Sequence, residues 1–80
     1  MSKRTFRHLT INDRVRVSVW SRSKCGELTV THHGHVYHVC RRMVGVRFRG
    51  GMEIRFARVS GKQWGGNYAW LHPDDAKEET

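Results

Sequence analysis

The feature that most constrains the fold is an alternation of apolar and charged residues on both sides of Gly50 and Gly51. Successive residues of a strand point to opposite faces of a sheet, so the alternation predicts a β-hairpin with one apolar face. A three-residue loop over residues 49–51 keeps the apolar residues of both strands on that face, whereas a two-residue turn would pair an outward Arg49 with an inward Met52. The predicted cross-strand pairs are Val44 with Phe56, Val46 with Ile54, and Phe48 with Met52.

Alternation elsewhere predicts further short strands and no long amphipathic helix. The predicted strands are residues 14–20, 27–32, 35–40, 43–48, 52–56 and 67–71. The valines of the first strand point inward, as do Leu28 and Val30 of the second strand. We expect the core to contain Val17, Val46, Phe48, Ile54 and Phe56.

Breaks in the alternation predict the connections between these strands. Residues 21–26 and 60–66 are polar, glycine-containing loops, and Gly34 separates the second strand from the third. The pair Arg41-Arg42 suggests a β-bulge before the hairpin. Pro73 suits the first turn of a 3₁₀ or α segment, where the following acidic residues are favourably placed.

The length of 80 residues allows one domain with a modest core, in which an extended active-site cavity is difficult to accommodate. We therefore expect a binding module that is not an enzyme and needs no cofactor. A small barrel or sandwich of five to six short antiparallel strands removes sheet edges at this size. The predicted division is a basic N-terminal arm over residues 1–10, a β-barrel over 11–73 and an acidic tail over 74–80.

Four segments resemble an SH3-like small β-barrel of the KOW or Tudor kind over about residues 11–75. They are INDRVRV at 11–17, CGELTV at 25–30, VGVRFRGGMEIRF at 44–56 and AWLHPDD at 69–75. The resemblance implies about five strands, with binding through loops and one exposed sheet face, and fixes no ligand. Neither the aromatic cage of methyl-lysine readers nor the groove for proline-rich peptides maps onto this chain residue by residue. A small plasmid-type dihydrofolate reductase shares the barrel class, but its Val-Gln-Ile-Tyr motif is absent.

The charge distribution suggests an anionic partner. The chain contains 15 Lys and Arg against seven Asp and Glu, and four of the acids lie in the last seven residues. Residues 1–73 hold 14 of the basic and three of the acidic side chains, which is a net charge of +11. Arginine outnumbers lysine by eleven to four, and guanidinium groups bind phosphate bidentately, hydrogen-bond guanine and stack on bases.

Candidate contacts lie on the outer face of the predicted hairpin and first strand, in the basic arm, and in the loop around Trp64. Trp64 is expected to be exposed and able to stack on unpaired bases, whereas Trp70 is expected to be buried. If the strands are neighbours, the outer arginines share one surface. The candidate nucleic-acid contacts are Arg4, Arg7, Arg14, Arg16, Arg41, Arg42, Arg47, Arg49, Arg55, Lys62 and Trp64.

A cluster of histidines and cysteines leaves metal binding open without predicting it. The cluster contains His32, His33, His35 and His38 with Cys40 and, at a distance in sequence, Cys25. Imidazole and thiolate are good zinc ligands, but the spacing matches no standard zinc pattern. The alternative is a polar strand end that helps to bind phosphate when protonated. Two cysteines without an apolar signal segment indicate free thiols and a cytoplasmic protein, and no apolar run is long enough to span a bilayer.

The leading functional hypothesis is a small basic nucleic-acid-binding module, such as a bacterial or phage regulatory factor. Phosphates would supply affinity, and stacking would supply some selectivity. The alternative is a protein-interaction module that binds an acidic surface of a partner such as a polymerase or nuclease subunit. DNA versus RNA, sequence preference and oligomeric state stay open, and the acidic tail is a candidate shield of the basic face.

Overall fold

Seven β-strands and one 3₁₀ turn form the regular structure of residues 3–79, which are the residues that the computed structural model describes. This range contains no α-helix, so the predicted all-β class is confirmed. The elements are β1 Lys3–Thr5, β2 Arg14–Ser23, β3 Gly26–Val39, β4 Met43–Phe48, β5 Glu53–Ala57, β6 Ala69–Leu71, the 3₁₀ turn Pro73–Asp75 and β7 Lys77–Glu79. The predicted turn at Pro73 is therefore confirmed.

Five antiparallel strands form a curled sheet in the order β5-β4-β3-β2-β6. Single bridges join Phe56 to Gln63 and Lys62 to Trp70, so the segment between β5 and β6 touches both edges of the sheet. The Ala57 N–H donates to the Lys62 carbonyl at 2.9 Å, and the Leu71 N–H donates to the Gly61 carbonyl at 2.8 Å. The result is a curled half-barrel that is compatible with an SH3-like barrel.

The β4–β5 hairpin has the predicted register. Val44 pairs with Phe56 and Val46 with Ile54. The Gly51 N–H donates to the Phe48 carbonyl at 3.0 Å, which closes the three-residue loop, and Gly51 has a φ of +93°, a conformation that glycine adopts without steric cost. The inward position of Met52 was predicted wrongly, because this residue lies in the loop before β5 and is 61% exposed.

The second and third predicted strands are one continuous 14-residue strand, β3. β2 also continues to Ser23, so the predicted loop over 21–26 shrinks to a turn. Leu28 and Val30, predicted inward, are 55% and 38% exposed. Their part of β3 pairs only with β2, because β4 lies beside residues 34–39 alone. The two strands thus project beyond the barrel as a two-stranded ribbon.

Gly34 continues β3 instead of ending it. The residue lies between Val15 on β2 and Phe48 on β4. A Cβ atom at this position would lie 2.8 Å from Val46 Cγ1 and 2.9 Å from the Arg47 carbonyl oxygen. Glycine is therefore required here for a close approach of the strands, and the prediction of a strand break was wrong.

The β-bulge lies at Tyr37 and not at Arg41-Arg42. The register between β3 and β4 shifts between Val36 and His38. The extra residue lets both Val36 and Val39 face the core although their spacing is odd. Arg41-Arg42 instead form a turn, closed by a hydrogen bond from the Cys40 N–H to the Met43 carbonyl at 2.8 Å.

The core lies inside the curled sheet, and the five residues predicted to be buried are all buried. Phe6 and Leu9 join this core from the N-terminal segment. β1 pairs with β7 in a second, two-stranded sheet, with Arg4 opposite Glu78. The other core residues are Val15, Val17, Val36, Val44, Val46, Phe48, Ile54, Phe56, Ala69, Leu71 and Ala76. The closing strand is shorter than predicted, and Trp70 on it is only half-buried.

Candidate nucleic-acid interface

The outer face of the sheet aligns basic residues across β2, β3 and β4. Arg14 on β2 is opposite His35 on β3, which in turn is opposite Arg47 on β4. The predicted direct adjacency of the two arginine-bearing strands was wrong, because β3 lies between them. A histidine between the arginines keeps the row polar and basic.

These side chains border an open groove of about 820 Å³, here called the arginine groove. Four of the five arginines predicted on the outer face line it, and Arg55 does not. Asp75 is its single carboxylate among residues 4–78. The polar residues that line the groove are Arg14, Arg16, His33, His35, Arg47, Arg49 and Asp75.

Asp75 neutralises one arginine of the groove. Arg16 Nη2 lies 3.0 Å from Asp75 Oδ1, and the Arg16 N–H donates to Asp75 Oδ2 at 2.9 Å. Partial burial raises the pKa of the Asp75 carboxyl, but the hydrogen bonds and charge of Arg16 outweigh it and hold the pKa below its usual value. The same hydrogen bond raises the pKa of Arg16. Within the described residues, Arg14 and Arg49 have no such acidic partner.

Arg47 connects the arginine groove to an aromatic neighbour. Its Cζ lies 4.8 Å from the centroid of the Tyr37 ring, and its Nη2 lies 3.5 Å from Glu53 Oε2. The Tyr37 ring packs on Gly45, where a Cβ atom would lie 2.7 Å from Tyr37 Cε1. Tyr37 thus lies across β4 between two basic side chains, Arg47 and Arg55, and the bulge that puts it there is not visible in the sequence pattern.

A second opening, here called the aromatic cleft, has a volume of about 400 Å³. Trp64 and Tyr68 on its rim are 47% and 43% exposed, so the predicted exposure of Trp64 is confirmed. The Trp64 N–H donates to the Arg55 carbonyl at 2.8 Å, which puts the tryptophan beside β5. The lining residues are Tyr37, Glu53, Ile54, Arg55, Gln63, Trp64 and Tyr68. Sequence reasoning missed Tyr37 and placed Arg55 with the other outer arginines.

Trp64 also borders a groove of about 650 Å³ together with three other candidates, Arg7, Arg41 and Arg42. Arg58 connects the segments that carry them, since it donates to the carbonyl oxygens of Arg7 and, at 2.9 Å, of Cys40. The basic arm and the β3–β4 turn therefore meet near the Trp64 loop.

The last two candidates, Arg4 and Lys62, line a smaller groove of about 320 Å³. Arg4 Nη2 donates to the Ala76 carbonyl at 3.2 Å, so this side chain helps to hold the C-terminal segment. The eleven candidates are thus distributed over four openings. The arginine groove brings together the largest basic set.

The histidines and cysteines do not converge on one point. His33 and His35 line the arginine groove, whereas His38 Nε2 lies 2.8 Å from Cys40 Sγ. Cys25 is exposed in the turn of the ribbon, and both cysteines are free thiols. Among the described residues, no group of three or more His, Cys, Asp or Glu side chains is arranged to hold a metal ion.

Comparisons of the chain with protein-family models, with curated proteins and with solved structures found no match. Within residues 3–79, no helix has the length and apolar character needed to cross a membrane. The functional argument therefore rests on the geometry and charge of the molecule.

Proposed function

We propose that this protein binds nucleic acid, with the phosphate backbone held in the arginine groove. The observation that carries the proposal is the alignment of Arg14, His35 and Arg47 on the face that Arg16 and Arg49 complete. Like charges this close repel one another unless an anion neutralises them. A phosphate backbone does so and releases its condensed counterions, which supplies a salt-dependent driving force.

The shape and charge of the groove favour a polymer over a small anion. The groove is open and is bordered by residues of three strands and by Asp75. Its unpaired arginines, Arg14 and Arg49, lie on β2 and just after β4, on opposite sides of β3. Successive phosphates along a strand can reach separate arginines, whereas one small anion satisfies fewer of them.

The biological context is part of the proposal. A non-enzymatic barrel of the KOW or Tudor kind that binds nucleic acid would suit a small cytoplasmic regulatory factor of a bacterium or phage. Size, composition and the exposed basic sheet face support this assignment.

The test is fluorescence anisotropy of labelled single-stranded RNA, single-stranded DNA and duplex DNA over a salt series. We expect affinity to fall linearly on a log–log plot against salt, with a slope set by the number of phosphates neutralised. The double variant Arg14→Glu/Arg49→Glu should lose most of the affinity for every ligand. Arg22→Glu, on the exposed ribbon outside the groove, is the matched control. Absence of binding at low salt would refute the proposal.

The projecting ribbon favours a second candidate, a protein-interaction module with an acidic partner. The ribbon exposes Trp20, Leu28 and Val30 beside Arg22 and Lys24, a combination of apolar and basic groups that suits a protein surface. Charge reversal at Arg47 and Arg49 separates the candidates. Unchanged nucleic-acid affinity with loss of one protein partner in a pull-down would support the second candidate, and loss of nucleic-acid binding would support the first.

A further inference from the structure

We infer that the aromatic cleft is a binding site for one unpaired nucleobase, so that the preferred ligand of this protein is single-stranded nucleic acid. The inference rests on the proposed function and deepens it by naming the form of the ligand. It adds Tyr37, Tyr68 and Gln63 to the residues that contact nucleic acid.

The aromatic cleft is continuous with the arginine groove. Arg47 lines the groove and lies over the ring of Tyr37, which lines the cleft. Glu53, which is paired with Arg47, also lines the cleft. A strand whose phosphates occupy the arginine groove therefore has a base-sized aromatic opening directly beside its path.

The exposed rings are held in place by their backbone. Trp64 donates its N–H to Arg55, and the Tyr68 carbonyl accepts a hydrogen bond from the Trp20 N–H at 2.7 Å. The Tyr68 N–H donates to Gln63 Oε1 at 3.3 Å, across the loop. Rings that are anchored yet exposed present their faces without first losing conformational freedom, which lowers the entropic cost of binding.

Close packing at Gly66 supports the shape of this loop. A Cβ atom at Gly66 would lie 2.7 Å from Cδ of Gln63, so the amide side chain packs directly on the glycine backbone. Gln63 is thereby placed between the two ends of the loop that carries Trp64 and Tyr68. The glycine-rich composition, which from sequence indicates only flexibility, here allows a compact rim.

The polar groups of the cleft fit the edge of a base better than a cation or a phosphate. Arg55 and the Gln63 amide offer donors, and Glu53 offers acceptors, which together match the mixed edges of nucleobases. A cationic ligand would meet Arg55 and Arg47, and Glu53 is already paired with Arg47. A phosphate would gain little from three aromatic rings, whereas every base has a π-face that stacks on them.

A base in a duplex cannot enter the cleft, because it is stacked and paired with its neighbours. Single strands and loops present their bases at a lower energetic cost. The cleft therefore predicts preference for single-stranded ligands, a property that the phosphate contacts alone do not supply.

The test compares three labelled oligonucleotides with equal phosphate numbers by anisotropy at one salt concentration. They are a single strand of mixed sequence, the same strand with every base replaced by an abasic sugar, and the corresponding duplex. We expect the single strand to bind the wild-type protein about 5- to 100-fold more tightly than the abasic strand, since stacking of one base has that effect. The duplex should also bind more weakly per phosphate.

The matched variants are Tyr68→Ala and Tyr68→Phe, because Tyr68 lines the cleft and lies outside the arginine groove. Tyr68→Ala should reduce the advantage of the normal over the abasic strand, and Tyr68→Phe should retain it. Thermal melts establish that both variants fold. Equal, salt-dependent binding of normal and abasic strands would overturn the base site and leave the phosphate groove standing. Failure of all three ligands to bind would refute the proposed function itself.

Discussion

The two ends of the β2–β3 ladder have the same sequence pattern and opposite environments. At the barrel end, Val17 and Val36 are fully buried, whereas at the ribbon end Leu28 and Val30 are exposed. β4 lies beside residues 34–39 and β6 beside residues 17–19, and the ribbon beyond them has neither neighbour. Alternation thus determines which face a side chain points to, and neighbouring strands determine whether that face is buried.

The same difference extends to charge. Both ends carry basic residues, with Arg14 and Arg16 at the barrel end and Arg22 and Lys24 at the ribbon end. Only the barrel end has β4 beside it, and so only there do arginines from separate strands border one groove. A groove that concentrates positive charge requires the extra strand, whereas an isolated ribbon leaves its charges in solvent.

The largest expected difference between the two regions is in stability. Phe56→Ala removes a fully buried ring from the barrel and should lower the free energy of unfolding by about 3–5 kcal/mol. Leu28→Ala, in the ribbon, should change it by less than about 0.5 kcal/mol. Chemical denaturation of both variants measures the contrast. Similar losses would show that the ribbon is packed in solution and would contradict the comparison.

A smaller effect is expected where β3 leaves the ribbon and enters the barrel. Gly34→Ala puts a methyl group against Val46 and the Arg47 carbonyl, and this overpacking should cost about 1–3 kcal/mol. Thr31→Ala, three residues earlier on the exposed ribbon, is the control and should be close to neutral. A Gly34→Ala variant as stable as the wild type in a thermal melt would mean that the strands are farther apart than described.

The smallest effect concerns the ion pair at the barrel end. Asp75→Asn should lower stability at neutral pH by about 0.2–1 kcal/mol, because the Arg16 side chain is partly exposed. The pKa of the Asp75 carboxyl is lowered in the folded protein, so its contribution is present above the ordinary carboxyl pKa and is lost as pH falls through the folded pKa. Denaturation at neutral and acidic pH measures this, with Glu27→Gln in the ribbon as the charge control. A difference from the wild type that grows on acidification would contradict the sign.

Local patterns predicted the hairpin best. The β4–β5 register follows from one short loop and two adjacent alternating segments, so the pairs of Val44 with Phe56 and Val46 with Ile54 could be derived without knowing the rest of the fold. The buried core residues of this hairpin follow from the same pattern. Met52 differs because alternation says nothing about where the covering elements end.

Features that depend on distant neighbours could not be predicted. The continuity of β3 through Gly34 depends on the approach of β4, and the bulge at Tyr37 depends on the need to bury both Val36 and Val39. The grouping of arginines failed for the same reason. His35 separates the two strands that carry them, and Arg55 lies on the far side of Gly45, in the aromatic cleft.

The most direct test of phosphate binding by the arginine groove is the slope of log affinity against log salt for a single-stranded RNA. The double variant Arg14→Ala/Arg49→Ala should make this slope shallower by about 2, one unit for each lost phosphate contact. Arg22→Ala/Lys24→Ala removes two charges from the ribbon and should leave the slope unchanged. A slope that changes equally in both variants, or only in the ribbon variant, would contradict the account.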